Sequence, residues 1–283
     1  MYTKKRTRLG EKEIEVISRL SYEKKRIVTK EDLDSFFKFD DIERNKVVYQ
    51  LKKKGIFSTI KRGVYVFSPL EYGEGGAAIN EMLIPLQFFP LGNYYIGYST
   101  MYNYYSLTEQ LFQVVYVLNT SLQRRKKICG VQFAFSRVQE SRMYGLEKIN
   151  IEGNEVMISS LERTLVDLVY FNKPVGGIKS ALEILKRELK KERCDVKKFI
   201  RFAAKFSNIK TRKIIGVLLE TMGYPDEELT PLAKSIEDTA ISSFSGSFKG
   251  KLNKKWRVII NPSANASPPV PQGTKRRGGQ VSS

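Results

Sequence analysis

The segment of residues 29–67 limits the fold of this chain more than any other part of the sequence. Sequences of the capping-box type at 29–32 and 40–43 predict two helix starts in close succession. The second helix is expected to end at Gly55, because glycine reaches a positive φ without a steric penalty. Two runs rich in β-branched and aromatic residues follow, and the glycine-containing turn at 61–63 between them predicts a β-hairpin.

An amphipathic helix over residues 11–25 is predicted to precede this segment, with Ile14, Ile17 and Leu20 at helical spacing. The order helix, short helix, capped helix, hairpin is typical of a winged helix-turn-helix. In that module the last helix enters a DNA groove, and the hairpin contacts the neighbouring phosphates. The sequence therefore predicts an N-terminal DNA-binding domain.

The face of the capped helix that points away from Val47, Val48 and Leu51 is expected to contact DNA, because these apolar residues form the stripe that faces the core. The cations at the hairpin turn are expected to contact phosphates. The predicted DNA-binding residues are Arg44, Asn45, Lys46, Tyr49, Gln50, Lys53, Lys61 and Arg62.

The charge of the chain favours a polyanionic partner. There are 49 Lys and Arg against 30 Asp and Glu, a net charge of +19. A second excess lies at 186–213, where twelve Lys and Arg face three acids. Either these cations are simply solvated or they form a second surface for a polyanion. The residues of this secondary basic surface are Lys186, Arg187, Lys190, Lys191, Lys197, Lys198 and Arg201.

Several enzyme classes are disfavoured by what the sequence lacks. Histidine, the commonest general base and transition-metal ligand, is absent. Cys129 and Cys194 do not have metal-site spacing. The sequence GSFKGKL at 246–252 departs from a phosphate-binding loop, and GYSTM at 97–101 has no histidine to activate its serine. We expect no catalytic residue, no metal and no cofactor.

The N-terminal residues are too polar for a signal peptide, and no apolar run is long enough for a membrane span. A cytoplasmic protein without membrane contact is therefore expected. A tyrosine-rich segment at 94–105 has two interpretations, a base-stacking surface or a core element. We favour the core, with some hydroxyl groups at a surface groove.

The predicted fold class is α+β, with the winged helix-turn-helix at 1–70 and a larger mixed α/β C-terminal domain at 77–261. The glycine-rich stretch 71–76 is the expected linker. The proline-, serine- and glycine-rich end, 262–283, is expected to be a disordered basic tail.

Four sequence segments resemble one known family, the AbiEi-type antitoxins of bacterial type IV toxin–antitoxin systems. They are RGVYVFSP, GYSTMYNYYSLTEQ, VYVLN and SSLERTLVDLVYF, and the resemblance extends over about residues 10–261. The helix motif of the last segment is the most specific part, and it comprises Glu162, Arg163, Thr164 and Asp167.

The resemblance implies a repressor that binds inverted repeats in double-stranded DNA at its own operon. It also implies a C-terminal antitoxicity domain that counteracts a nucleotidyltransferase toxin of the AbiEii type without a stable complex. A role in phage defence and a monomer that binds DNA cooperatively fit this expectation. The tyrosine-rich segment departs from the small and histidine-bearing residues of the family.

Two other functions remain open from the sequence. One is a winged-helix regulator whose C-terminal domain senses a ligand, and the other is a nucleic-acid-modifying enzyme. Within the family motif, Arg163 and Asp167 are four residues apart and are expected to pair on an exposed helix surface.

Overall fold

Residues 8–69, 79–243 and 250–260 are described by the structure, which is a computed structural model. They form a mixed α+β fold. The predicted linker at 71–76 and the predicted tail at 262–283 lie outside the described residues.

Three helices and a small sheet form the N-terminal part. The sheet is antiparallel, with the strand order β1–β3–β2. Its third strand, β1, pairs with β3. The elements are α1 (Glu11–Tyr22), β1 (Ile27–Thr29), α2 (Lys30–Phe36), α3 (Asp41–Lys53), β2 (Phe57–Lys61) and β3 (Val64–Phe67).

The predicted helix starts are present at both positions. Thr29 and Asp32 form a complete capping box at the start of α2, with both reciprocal hydrogen bonds. At α3 the side chain of Asp40 accepts the Glu43 N–H, whereas the Glu43 carboxylate pairs with Lys12 on α1. Only one of the two hydrogen bonds of the second capping box is therefore formed. The Glu43 side chain instead links α3 to α1.

The inner face of α1 differs from the predicted stripe. Ile14 is 50% exposed, whereas Val16, Ile17 and Leu20 are buried. Glu13 takes a buried position, because its carboxylate accepts the Gly10 N–H and pairs with Lys54 from the end of α3. The helix cap and the ion pair of Glu13 thus set which face of α1 is buried, and Ile14 is left exposed.

A six-stranded sheet and six α-helices make up most of the described residues after 79. The strand order is β6–β7–β5–β4–β9–β8, with parallel pairs β5–β7 and β4–β9 and antiparallel neighbours elsewhere. The strands are β4 (Tyr94–Ile96), β5 (Val114–Asn119), β6 (Arg124–Ile128), β7 (Val131–Arg137), β8 (Leu146–Ile151) and β9 (Asn154–Ser159). The helices are α4 (Ser99–Tyr104), α5 (Leu161–Tyr170), α6 (Ile178–Lys190), α7 (Val196–Lys205), α8 (Ile209–Thr221) and α9 (Asp226–Lys234), of which α5 to α9 form one hydrophobic core.

The last described residues form a small third sheet, β10 (Ser242–Ser243), β11 (Lys251–Asn253) and β12 (Val258–Ile260). Trp256, which precedes β12, is fully buried and lies against Gly216 of α8. The Nζ of Lys213, also on α8, donates to the carbonyl oxygens of Ala240 and Arg257. Two contacts from one helix therefore hold this sheet in place.

The hairpin β2–β3 is buried on both of its faces. Phe57 and Phe67 pack into the N-terminal core. Ile60, Val64 and Val66 join the core cluster of the six-stranded sheet. A fragment without residues beyond 76 would expose these three side chains, so the N-terminal part and the sheet share a core.

Two elements differ from what the sequence pattern indicates. The apolar run 77–89 is typical of an α-helix, but it contains the 3₁₀ helix Glu81–Gln87, with Pro85 inside it. Strand β6 was not predicted, because four consecutive cations obscure any alternation.

Candidate nucleic-acid interface

The face of α3 that points away from the core is exposed along its whole length. Val47, Val48 and Leu51 are buried, as predicted. Tyr49 is 62% exposed, although aromatic side chains of that size are more often buried. The exposed positions after the first residue, Asp41, follow helical spacing, and they are Ile42, Asn45, Lys46, Tyr49, Lys52 and Lys53.

A polar cleft of about 250 Å³ separates α3 from the hairpin turn. Asn45 on α3, Arg62 in the turn and Lys30 at the start of α2 all line it. The Lys30 N–H donates to the Gly63 carbonyl at 2.8 Å, so the turn is held at a set position beside the helices. The structure therefore brings together two predicted DNA-binding residues that are distant in sequence.

Arg44 does not belong to the exposed face, which corrects its place among the predicted DNA-binding residues. It is 6% exposed. Its guanidinium donates to Asp34 at 2.5 Å and pairs with Asp41. These contacts join α2 to the first turn of α3, and the Arg44 hydrogen bond lowers the pKa of Asp41. Arg44 is an internal link between the two helices.

Lys61 likewise differs from the prediction. Its Nζ donates to the Gln87 carbonyl oxygen and lies 5.9 Å from the centroid of the Phe88 ring. Arg124 and Lys126 on β6 lie at similar distances from the same ring. The Lys126 Nζ also donates to the Ile60 carbonyl at 2.7 Å. Lys61 therefore joins the hairpin to the segment 87–88, and Lys126 joins the hairpin to the six-stranded sheet. Arg62 is the exposed cation of the turn.

Gln50 is half-buried and lies in a different groove, between α1 and α3, with Lys46 and Val47. Lys46 borders this groove while its side chain remains exposed. Of the predicted DNA-binding residues, Asn45, Lys46, Tyr49, Lys53 and Arg62 remain exposed.

The secondary basic surface is partly organised by buried acids. Glu188 on α6 is fully buried and accepts hydrogen bonds from Lys191 at 3.0 Å and Arg193 at 2.9 Å. Arg187 contacts the same carboxylate at 3.2 Å. Burial alone would raise the pKa of Glu188, but the hydrogen bonds from Lys191 and Arg187 outweigh it and lower that pKa.

Arg187 and Arg193 also donate to the carbonyl oxygens of Leu107 and Tyr105. They fasten α6 to the segment after α4. Lys198 pairs with Glu162 at 2.8 Å, and the remaining residues of this surface make no ion pair within the described parts of the chain. Those residues are Lys186, Lys190, Lys197 and Arg201.

The family motif is internal, contrary to the expected surface pair. Arg163 and Asp167 both have side chains that are 0% exposed. Two nearly parallel hydrogen bonds of 3.2 Å join the guanidinium to the carboxylate. Arg163 also donates to the carbonyls of Arg142 and Tyr144 and to the Tyr95 hydroxyl. The motif thus clamps α5 onto the sheet.

The other motif residues support the same junction. Ser160 caps α5 and accepts the Arg163 N–H. The Thr164 hydroxyl lies 2.8 Å from that of Ser159, at the end of β9. Glu162 pairs with Lys198 of α7, as stated above. The motif therefore has a structural role that its residues alone did not indicate.

The tyrosine-rich segment is mainly core, as predicted. Tyr94, Tyr95, Tyr98 and Tyr102 are buried, and burial raises the pKa of each hydroxyl. Tyr105 is half-buried, and its hydroxyl lies 2.5 Å from Glu147. Tyr104, at 48% exposure, is the exposed tyrosine of this segment.

Of the two sequences that partly resemble catalytic motifs, GYSTM lies within the described residues, whereas residues 246–249 of GSFKGKL lie outside them. Ser99 of GYSTM is 1% exposed. Within residues 8–69, 79–243 and 250–260, no group of three or more His, Cys, Asp or Glu is placed to hold a metal. No helix in those ranges has the length and apolar character needed to cross a membrane.

Sequence reasoning missed three contributors to these surfaces. Lys30 is brought to the cleft by tertiary structure alone. Strand β6 was not predicted, because its four consecutive cations show no alternation of apolar and polar residues. Ile42 is 81% exposed, and its position outside the apolar stripe, three residues before Asn45, was a signal in the sequence.

Comparison with known proteins shows a shared fold and no family. No protein-family model matches the chain, and no curated protein matches it. Among solved structures, the RV2827C protein from Mycobacterium tuberculosis is similar, with a TM-score of 0.60 and 15% sequence identity. The alignment covers 89% of this chain and 92% of that one. The mixed α+β architecture is therefore found in at least one other protein over nearly its full length.

Proposed function

We propose that this protein is a DNA-binding transcriptional repressor that also acts as an antitoxin. In this proposal residues 1–70 are a winged helix-turn-helix, with α2 and α3 as the two helices and β2–β3 as the wing. The order of elements and the pairing β1–β3–β2 support it. Residues 77–261 would be the antitoxicity domain.

The observation that carries DNA binding is the shared cleft of Asn45 and Arg62. An amide on an exposed helix face can pair with a base edge, and a cation that lines the same cleft can neutralise a phosphate. The net charge of +19 supplies the long-range attraction. The partner would be double-stranded DNA carrying inverted repeats.

Acids near the start of α3 do not oppose this arrangement. Asp40 accepts an N–H of its own helix, and Asp41 is paired with Arg44. Glu43 is paired with Lys12. Internal contacts thus compensate the three carboxylates, whereas Lys53 and Arg62 face solvent.

The experiment is a titration of the full-length protein on DNA from upstream of its own gene, with a shuffled fragment as competitor. We expect specific binding that weakens steeply with salt. The double variant Asn45→Ala/Arg62→Ala should lose the specific complex. Equal binding to both fragments by the wild type would contradict a repressor function.

The antitoxin part rests on the resemblance in sequence to AbiEi-type antitoxins. Its test is co-expression with a nucleotidyltransferase encoded beside this gene, with growth as the readout. We expect rescue by the full chain, no stable complex on gel filtration and a cytoplasmic location. Absence of rescue would contradict the antitoxin function and leave repression intact.

A cavity favours one second candidate, a ligand-sensing regulator. It measures about 210 Å³ and lies between the hairpin and the six-stranded sheet, with Val66, Ile84, Ile128 and Phe133 among its walls. A small apolar molecule bound there would touch both parts of the shared core. Operator affinity that changes when a cell extract of small molecules is added would favour this candidate.

A further inference from the structure

We propose that Ile42 reads the 5-methyl group of a thymine in the operator, beside the base contacted by Asn45. This inference rests on the proposed DNA-binding function. Ile42 is 81% exposed at the second residue of α3. It belongs to none of the hydrophobic clusters formed by the described residues. Its side chain therefore has no packing role that would explain a large apolar group there.

The position of Ile42 on α3 matches that of the residues proposed to read bases. Residues at i, i+3 and i+7 share one face of a helix, and Ile42, Asn45 and Tyr49 have this spacing. In helix-turn-helix proteins, residues near the N-terminus of the recognition helix contact base edges. Ile42 lies one turn nearer that terminus than Asn45, so it would reach a neighbouring base pair.

The chemistry of the groove fits an apolar side chain at this point. In the major groove, an A·T pair offers the adenine N6 and N7 atoms to an asparagine amide and the thymine methyl to an apolar group. A phosphate would gain nothing from the apolar side chain of Ile42. Lys46, one turn further along α3, is better suited to the backbone.

The cationic surroundings distinguish this contact from protein docking. Lys30 and Arg62 line the cleft and are exposed, and such a surface attracts a polyanion. A single exposed isoleucine is too small an apolar area to hold a protein partner by itself. A protein partner would also leave thymine substitution without effect, so it remains an outcome of the test.

The test is a double-substitution cycle on the full-length protein. Each thymine of the operator is replaced singly by deoxyuridine, which removes only the methyl group. Wild type and Ile42→Ala are then titrated on every duplex. We expect one position at which deoxyuridine weakens wild-type binding about three- to fivefold, the loss expected for one buried methyl group. At that position Ile42→Ala should show no further loss.

A matched control is Leu91→Ala, which shortens another exposed apolar side chain, 92% exposed and outside α3. It should keep the wild-type response to every deoxyuridine. Circular dichroism checks that Ile42→Ala keeps its helices, and alanine has the higher helix propensity.

Two results would overturn the inference. Equal responses of wild type and Ile42→Ala at every thymine would mean that no methyl is read by Ile42, while specific binding still stands. An equal loss of Ile42→Ala on operator and shuffled DNA would mean a backbone contact. If the wild type shows no preference for operator over shuffled DNA, the proposed repressor function itself is wrong. This result differs from a failure of the Ile42 inference alone, in which specific binding remains.

Discussion

The guanidinium of Arg163 and the carboxylate of Asp167 face each other one turn apart on α5, with no exposed surface on either side chain. Asp167 also lies 3.5 Å from Arg142, so one carboxylate serves two buried or nearly buried arginines. Removing that carboxylate would leave two cations without a counter-charge in the interior, which is far more costly than losing a surface pair.

Asp167→Asn is therefore expected to lower the free energy of unfolding by about 3–5 kcal/mol. Urea denaturation followed by circular dichroism measures this change. Glu155→Gln is the control, because its pair with Lys148 is exposed and should contribute less than about 1 kcal/mol. Similar effects of the two variants would contradict the structural role of the family motif.

Asn45→Ala and Tyr49→Ala are each expected to weaken specific DNA binding by about 1–3 kcal/mol and to relax sequence preference, because both side chains lie on the exposed face of α3. Fluorescence anisotropy with operator and shuffled duplexes gives both numbers. Tyr22→Ala removes an aromatic side chain on α1 that is 80% exposed, and it should leave binding unchanged. If both variants bound the operator with wild-type affinity, α3 would not be the helix that contacts the bases.

Arg62→Ala is expected to reduce the slope of log affinity against log salt by about one, since one phosphate contact is lost. Lys61→Ala should leave that slope unchanged, because its Nζ is bound to the Gln87 carbonyl. Titrations at four salt concentrations separate the two. If Lys61→Ala reduced the slope and Arg62→Ala left it unchanged, Lys61 and not Arg62 would be the phosphate contact of the turn.

Glu188 gives a prediction for the dependence of stability on pH. Its pKa in the folded state is lowered from the ordinary value of 4.5. The stabilisation is therefore complete above pH 4.5 and is lost as the pH falls through the lowered value. Glu188→Gln should destabilise the protein by about 1–3 kcal/mol at pH 7, with a difference from wild type that shrinks in acid.

Urea midpoints at pH 7, 5, 4 and 3 measure this difference. Glu183→Gln, on the exposed side of α6, is the matched control and should follow wild type at every pH. A constant gap between wild type and Glu188→Gln down to pH 3 would show that the stabilisation does not depend on ionisation.

Gly216→Ala is expected to destabilise the C-terminal sheet, since a methyl group there would overlap the Trp256 ring. Overpacking of this kind costs about 1–3 kcal/mol or more. Trp256→Leu alone should also destabilise, through the cavity it leaves. The loss of stability in the double variant should be clearly smaller than the sum of the losses in the two single variants, and thermal unfolding measures all three. Losses that simply add would contradict a contact between residues 216 and 256.

The sequence by itself determined most of the local structure. The caps at Thr29 and Asp40, the glycine at 55 and the turn at 61–63 are local signals, because a cap or a positive φ depends on a few neighbouring residues. The apolar stripe of α3 and the buried tyrosines were predictable for the same reason of periodicity and composition.

Only the tertiary structure decided which charges are free. Arg44, Lys61 and Arg163 look alike in sequence to Arg62, yet they meet Asp34, the Gln87 carbonyl and Asp167 respectively. Two of these partners are distant in the chain or on another element, and a charge becomes internal when such a partner offsets its desolvation. Long-range packing also brought Lys30 and Arg62 to one cleft and left Ile42 outside every core, because the relative placement of helix and hairpin is set by contacts that no local pattern encodes.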